Sequence, residues 1–148
     1  MIMQNAITEL EELTLTSSAK NFLRETAKWT YFLSILGFIG LALMVVFSFF
    51  AGTLFNNLPE TQTMPFDFGP VMTITYLILA LIYFFPVYYL FQFSTKMKTA
   101  LRSKNDEDLA NAFEKLKSHY KFLGVFTIII LSLYFLFFVL AMVGVAFA

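Results

Sequence analysis

The sequence predicts an all-α integral membrane protein with three transmembrane helices, and three observations carry that prediction. Hydrophobic residues make up 59% of the 148 residues and charged residues only 14%, whereas a soluble domain carries about 25% charged residues. Three uncharged apolar runs, about 29–55, 71–93 and 122–147, each exceed the roughly 20 residues that a helix needs to cross a bilayer. All ten Lys and Arg residues lie outside these runs.

Residues 1–16 precede the first run and have a weak amphipathic pattern. Apolar side chains recur there at helical spacing opposite three glutamates: Met3, Ala6, Ile7, Leu10 and Leu13 against Glu9, Glu11 and Glu12. We expect a short cytoplasmic helix that packs on protein, because an acidic face does not favour an anionic lipid surface. A frayed polar tail is the alternative. The hydroxyls of Thr16, Ser17 and Ser18 are suited to capping the helix that follows.

Small and polar residues form a stripe along each apolar run. Such stripes let a neighbouring helix approach closely, so they supply our candidates for helix packing: Ser34, Gly37, Ser48 and Gly52 in the first run, Tyr76, Ala80 and Tyr83 in the second, and Gly124, Thr127 and Tyr134 in the third. A surface that lines a ligand path is the alternative for the first stripe.

The loop at 56–69 joins the first two runs and is marked by Asn, Pro and Gly, which favour turns. Its end, Gly69-Pro70, is suited to the first turn of a helix, where the missing amide of proline is not needed. Pro86 lies inside the second run, removes one backbone hydrogen bond and predicts a kink.

Residues 94–121 predict a helical hairpin between the second and third runs. A turn is expected near Lys104, followed by Asp106, Glu107 and Asp108 at the positive end of the next helix. Apolar residues recur at helical spacing on both arms: Met97 and Leu101 on the first, Leu109, Phe113, Leu116 and Tyr120 on the second. We expect these faces to pack together or against residues 1–15, and to contact any cytoplasmic partner.

The basic residues predict the topology. Three of them lie in residues 20–28 and seven in residues 96–121, while the loop at 56–69 has none. Because an excess of Lys and Arg in short flanking segments marks the cytoplasmic side, we expect the N-terminus and the hairpin in the cytoplasm. Three crossings then place the C-terminus on the outer side.

Residues that carry chemistry are scarce. The three runs contain no charged residue, which argues against a proton-coupled transporter or pump. With no Cys and a single His, His119, we expect no metal site, no cofactor and no enzymatic activity. His119 is expected to be structural. Topology and anionic lipid account for the basic residues at 96–104, so we expect no nucleic-acid partner.

Three stretches carry a family resemblance: Leu23–Val45, Leu79–Leu101 and Asp106–Tyr134. Their most distinctive parts are the K-W-T entry to the first run, YFFP in the second, and FSTKMKTAL at the hairpin. The chain resembles a family of short multi-pass membrane proteins from Bacteroidota, known as a domain of unknown function. The resemblance implies a location in the inner membrane of a Gram-negative cell and adds no catalytic residue.

The sequence favours two functions over a third, a membrane-bound enzyme, for which paired titratable groups are lacking. The first is a non-enzymatic accessory or scaffold subunit that associates with other membrane proteins or with itself. The uncharged runs and the hairpin favour it. The alternative is a small oligomeric channel or carrier for an uncharged solute, which is favoured only by Tyr and Thr in the second and third stripes.

Overall fold

The computed structural model describes residues 15–59 and 65–146, and within them the chain forms three long α-helices. Helix α1 is Ser17–Asn56, α2 is Phe68–Ser103 and α3 is Asp106–Ala146. Each helix is long and apolar enough to cross a membrane, so the predicted all-α class is confirmed, with three helices of the length and composition that a span requires. The amphipathic helix predicted for residues 1–16 lies outside the described residues, apart from its last two positions.

The helix ends follow the capping signals in the sequence. Thr16 has an extended backbone, and its hydroxyl accepts a hydrogen bond from the Ala19 amide at 3.2 Å, as predicted for the start of α1. Pro70 lies in the first turn of α2. Helix α2 then continues without interruption through Pro86.

Helices α2 and α3 are joined by two residues. Lys104 adopts the left-handed conformation (φ 55°), and its amide donates to the Ala100 carbonyl at 2.9 Å, which closes α2. The side-chain oxygen of Asn105 accepts from the Glu107 amide at 2.9 Å and opens α3. The predicted turn is therefore present, and three carboxylates occupy the first turn of α3.

Helix α2 is the central element, because α1 packs on one side of it and α3 on another. A cluster of buried residues lies where all three helices meet, near the Lys and Arg residues; we call this part of the bundle the basic end. Its members are Ala27 from α1, Phe93 and Met97 from α2, and Ala112 from α3, with Leu23, Leu101, Leu109 and Leu116 packed against them.

The helices are longer than a bilayer requires. At 1.5 Å per residue, 36 to 41 residues extend about 54–62 Å, against a hydrocarbon core of roughly 30 Å. Helices of this length that crossed a bilayer would therefore extend well beyond the hydrocarbon. At the basic end the three helices share the buried cluster.

Candidate functional site

The packing stripe of α1 faces α2. Ser34 and Ser48 are fully buried. Their hydroxyls donate to carbonyl oxygens of their own helix, to Tyr31 at 2.7 Å and to Val45 at 2.6 Å. Because these hydroxyls are satisfied within α1, they add no unpaired polar group to the interface and act there as small side chains. Gly37 extends this surface, and a side chain at its position would meet Val87 at 2.8 Å.

Two glycines allow a close approach between α1 and α2, at the end of the bundle opposite the basic end. A β-carbon built on Gly69 would lie 2.4 Å from the carbonyl oxygen of Gly52, well inside van der Waals contact. Two hydrogen bonds cross the same contact. The Gly69 amide donates to the side-chain oxygen of Asn56 at 2.9 Å, and the Thr73 hydroxyl donates to the Ser48 carbonyl at 3.1 Å.

The candidates on α2 have different surroundings. Ala80 is buried and Tyr76 is half-buried. Tyr83 is 44% exposed, and its ring packs edge-on against Phe126 of α3 with the ring centroids 6.0 Å apart. The sequence grouped these residues on one stripe, but the structure divides them between neighbours because α2 has a helix on two sides.

The candidates on α3 have no neighbouring helix among the described residues. Gly124 and Thr127 are exposed, and a β-carbon on Gly124 would meet nothing within 4 Å. Tyr134 is 70% exposed. From Leu131 to Gly144 every residue is exposed. Contacts within the described chain therefore leave this half of α3 uncovered.

The predicted partner-contact face is divided in a similar way. Met97 is fully buried in the cluster at the basic end, and Leu101, Leu109 and Leu116 pack against that cluster. The two arms of the hairpin thus pack together, which was one of the two expected arrangements. Two of the predicted residues remain exposed, Phe113 at 43% and Tyr120 at 65%.

His119 makes a contact that the sequence did not indicate. Its Nδ1 lies 2.8 Å from the carbonyl oxygen of Pro86. A carbonyl oxygen can only accept, so this bond requires the proton on Nδ1. The contact joins α3 to α2 beside the proline and gives this histidine a structural role.

The bond between His119 and Pro86 also shows that the charge-free segments of the three helices begin at different levels along the bundle. Ala27 and Met97 share the buried cluster, which places Lys28 of α1 level with Lys96 of α2. On α3, however, charged residues continue as far as Lys121, close to the level of Pro86. Pro86 and Lys96 are ten positions apart, which corresponds to about 15 Å along α2. Charged residues on α3 therefore continue about 15 Å further from the basic end than the charged residues on α1 and α2 do.

A groove with a volume of about 580 Å³ lies between α1 and α3, with α2 as its floor. It includes the level at which α3 still carries charged residues but α1 and α2 do not. Its lining is mostly apolar and aromatic and includes Phe22, Trp29, Thr30 and Leu33 of α1, Leu90 and Phe93 of α2, and Leu116, His119 and Tyr120 of α3. Phe22 is 68% exposed and Trp29 is 62% exposed. Two of the rings that line the groove are therefore largely exposed.

Titratable groups do not gather into a metal site in the part of the chain that the structure describes. No three His, Asp or Glu side chains there lie close enough to hold an ion. The acidic residues at the start of α3 instead serve its first turn, where Asp108 also accepts from the Ser103 hydroxyl at 3.2 Å.

Comparison with known families gives one match. Residues 69–142, half of the chain, match the profile described as "Family of unknown function (DUF5362)". The chain belongs to this family. The DUF5362 match begins in the first turn of α2 and ends near the end of α3, so it covers the α2–α3 hairpin with the His119–Pro86 contact and leaves α1 outside. Searches of curated proteins and of solved structures find no match.

Proposed function

We propose that this DUF5362 protein is a non-enzymatic subunit of a membrane assembly, in which α3 contacts either another membrane protein or a second copy of the chain. The observation that carries the proposal is the open surface of α3. Ser34, Ser48 and Gly52 are buried in the structure, whereas Gly124, Thr127 and Tyr134 contact no helix among the described residues.

The chemistry of that surface suits helix association in a membrane. Lipid tails are as apolar as leucine, so helices associate there through close packing at small residues and through polar side chains such as Thr. Gly124 and Thr127 provide both features on one face of α3, three residues apart. The surface lies within the charge-free part of α3, where a neighbouring helix would also be in the bilayer.

We infer the orientation from charge. All ten basic residues flank one end of the bundle, which supports an N-terminus and an α2–α3 turn in the cytoplasm and a C-terminus in the periplasm. The bacterial inner membrane is the location we propose, in keeping with the family resemblance to short membrane proteins of Bacteroidota.

The absence of cysteine provides a sharp test. Thr127→Cys introduces a single thiol on the proposed contact face, and Ile129→Cys introduces one on the opposite face, where Ile129 is 51% exposed. In native membranes we expect Thr127→Cys to cross-link to a second copy or to another protein and Ile129→Cys to remain monomeric. Equal cross-linking of the two variants, or none for either, would contradict the proposal.

The alternative function is an oligomeric channel or carrier for an uncharged solute. It is supported by the exposed polar residues Thr127 and Tyr134 on α3, which could line a path if several copies met there. Buried polar residues of α1 do not add to this support, because Ser34 and Ser48 bond to their own helix. Flux measurements in proteoliposomes test the alternative. Solute uptake that Tyr134→Phe abolishes would favour it over the subunit role.

A further inference from the structure

A hollow on the surface of α1 combines charges of both signs with aromatic rings. Its volume is about 600 Å³, and its lining residues all belong to α1: Asn21, Arg24, Glu25, Lys28, Trp29 and Phe32. They lie three or four positions apart on successive turns, so they share one face of the helix. All of them are exposed. The hollow is therefore accessible along its whole length.

The charges of the hollow are unpaired within the structure. Arg24 and Lys28 lie one helical turn apart, with Glu25 beside them. No ion pair joins any of these three side chains to another residue that the structure describes. Ionised partners form the stronger hydrogen bonds, and complementary charges determine which ligand a surface selects. A ligand that matches this surface carries a negative group for the two cations and a positive group for the carboxylate.

The hollow also crosses the boundary of the charge-free segment of α1. Lys28 is the last charged residue of α1, and Trp29 and Phe32 follow it with 62% and 52% of their surfaces exposed. Their rings meet edge-on, with the centroids 6.1 Å apart. Tryptophan is enriched where a bilayer meets water. Arg24 and Lys28 are separated by about 6 Å along the helix, and the headgroup layer is about 5–8 Å thick on each side of a bilayer.

We propose that this hollow binds a phospholipid whose headgroup carries a phosphate and a primary ammonium, as in phosphatidylethanolamine. The phosphate contacts Arg24 and Lys28, the ammonium donates to Glu25, and an acyl chain lies against Trp29 and Phe32. An anionic headgroup without the ammonium would face the carboxylate with negative charge, and a choline headgroup has no N–H to donate. The inference rests on the membrane location proposed above and is independent of the role of α3.

Trp29 is the only tryptophan of the chain and lines the hollow, so quenching of its fluorescence reports which lipid lies there. Bromine atoms on an acyl chain quench tryptophan on contact. The full-length protein is placed in phosphatidylcholine nanodiscs that contain, as a minor component, a brominated lipid with an ethanolamine, glycerol or choline headgroup and identical chains. We expect the ethanolamine lipid to quench Trp29 severalfold more than either of the other two.

Two variants assign the charges. Glu25→Gln should remove the preference for the ethanolamine lipid and raise quenching by the glycerol lipid, because the carboxylate no longer repels an anionic headgroup. Arg24→Gln combined with Lys28→Gln removes both contacts to the phosphate and should reduce quenching by the ethanolamine lipid severalfold. Arg24 and Lys28 line this hollow but not the groove between α1 and α3, so the double variant distinguishes the two surfaces.

Matched controls change the same charges at exposed positions outside the hollow. Glu114→Gln, and Arg102→Gln combined with Lys117→Gln, should leave the lipid preference intact. Equal quenching by the three lipids in the unmodified protein, strongest quenching by the glycerol lipid, or a preference that survives Glu25→Gln would each overturn the proposal. Carbonate extraction separates this result from the proposed location. A chain that stays in the membrane without a lipid preference overturns only the lipid site, whereas release of the chain overturns both.

Discussion

Replacement of Gly69 by alanine tests a close contact between α1 and α2. The new β-carbon would lie 2.4 Å from the Gly52 carbonyl oxygen, and ordinary contact begins at 3.4 Å. Since one partner is backbone, the helices must separate by about 1 Å at this point. That movement also weakens the hydrogen bond from the Gly69 amide to Asn56.

The cost follows from these two changes. Overpacking of a tight contact costs about 1–3 kcal/mol, and a weakened hydrogen bond adds up to about 1 kcal/mol. We therefore expect Gly69→Ala to lower the free energy of unfolding by about 2–3 kcal/mol. Gly40→Ala is the matched control, because a β-carbon on Gly40 meets nothing within 4 Å and alanine is the better helix former.

Equilibrium unfolding of the purified protein in mixed micelles, followed by circular dichroism, measures both variants under one condition. Gly40→Ala should unfold at the same denaturant fraction as the unmodified protein or at a higher one. If Gly69→Ala were as stable as Gly40→Ala, the close approach of the two glycines would not hold the helices together, and our account of this end of the bundle would be wrong.

Three further substitutions test other contacts. Met97→Ala empties a fully buried position and should lower the free energy of unfolding by about 2–5 kcal/mol, whereas a loss below about 1 kcal/mol would show that the cluster at the basic end is loosely packed. His119→Ala removes the bond to the Pro86 carbonyl and should cost about 1 kcal/mol relative to Ser118→Ala in the same unfolding measurement. Phe113→Asp places a charge on a side chain that is 43% exposed, and should reduce co-purification of a partner while carbonate extraction still shows full membrane insertion; unchanged co-purification would remove Phe113 from the contact surface.

Local features of the fold could be predicted from the sequence because they depend on neighbours in the chain. Thr16 as a cap, the turn at Lys104 and the carboxylates at the start of α3 all follow from residue types within one helical turn. The three apolar runs predicted the helices for the same reason, since length and hydropathy can be counted along the chain.

Features that depend on the alignment of one helix against another were missed. Gly69 looked like a helix start, and nothing in its own surroundings indicated the contact with Gly52. The bond from His119 to Pro86 and the axial offset of the charge-free segment of α3, about 15 Å, were missed for the same reason. Both depend on how α3 is aligned along α2. Periodicity gives the face of a helix but not its axial shift relative to a neighbour.

The predicted contact residues show the same limit. A stripe of small residues indicates that a helix can pack closely, but not which helix it meets. For Ser34 and Ser48 the neighbour is α2 of the same chain, while Gly124 and Thr127 have no neighbour among the described residues. Met97, which we expected at a partner contact, is instead buried in the core of its own chain. The two-residue turn brings the arms of the hairpin together around it.

The central position of α2 has a consequence for the synthesis of the protein. Each helix has its main neighbour next to it in the sequence, since α1 and α3 both pack on α2. The chain leaves the ribosome in the same order, so α1 meets its neighbour as soon as α2 is made, and α3 finds α2 already in place. Contacts between successive segments require closure of short loops only, which form quickly. Among the described helices, none depends mainly on a neighbour that is made two segments later.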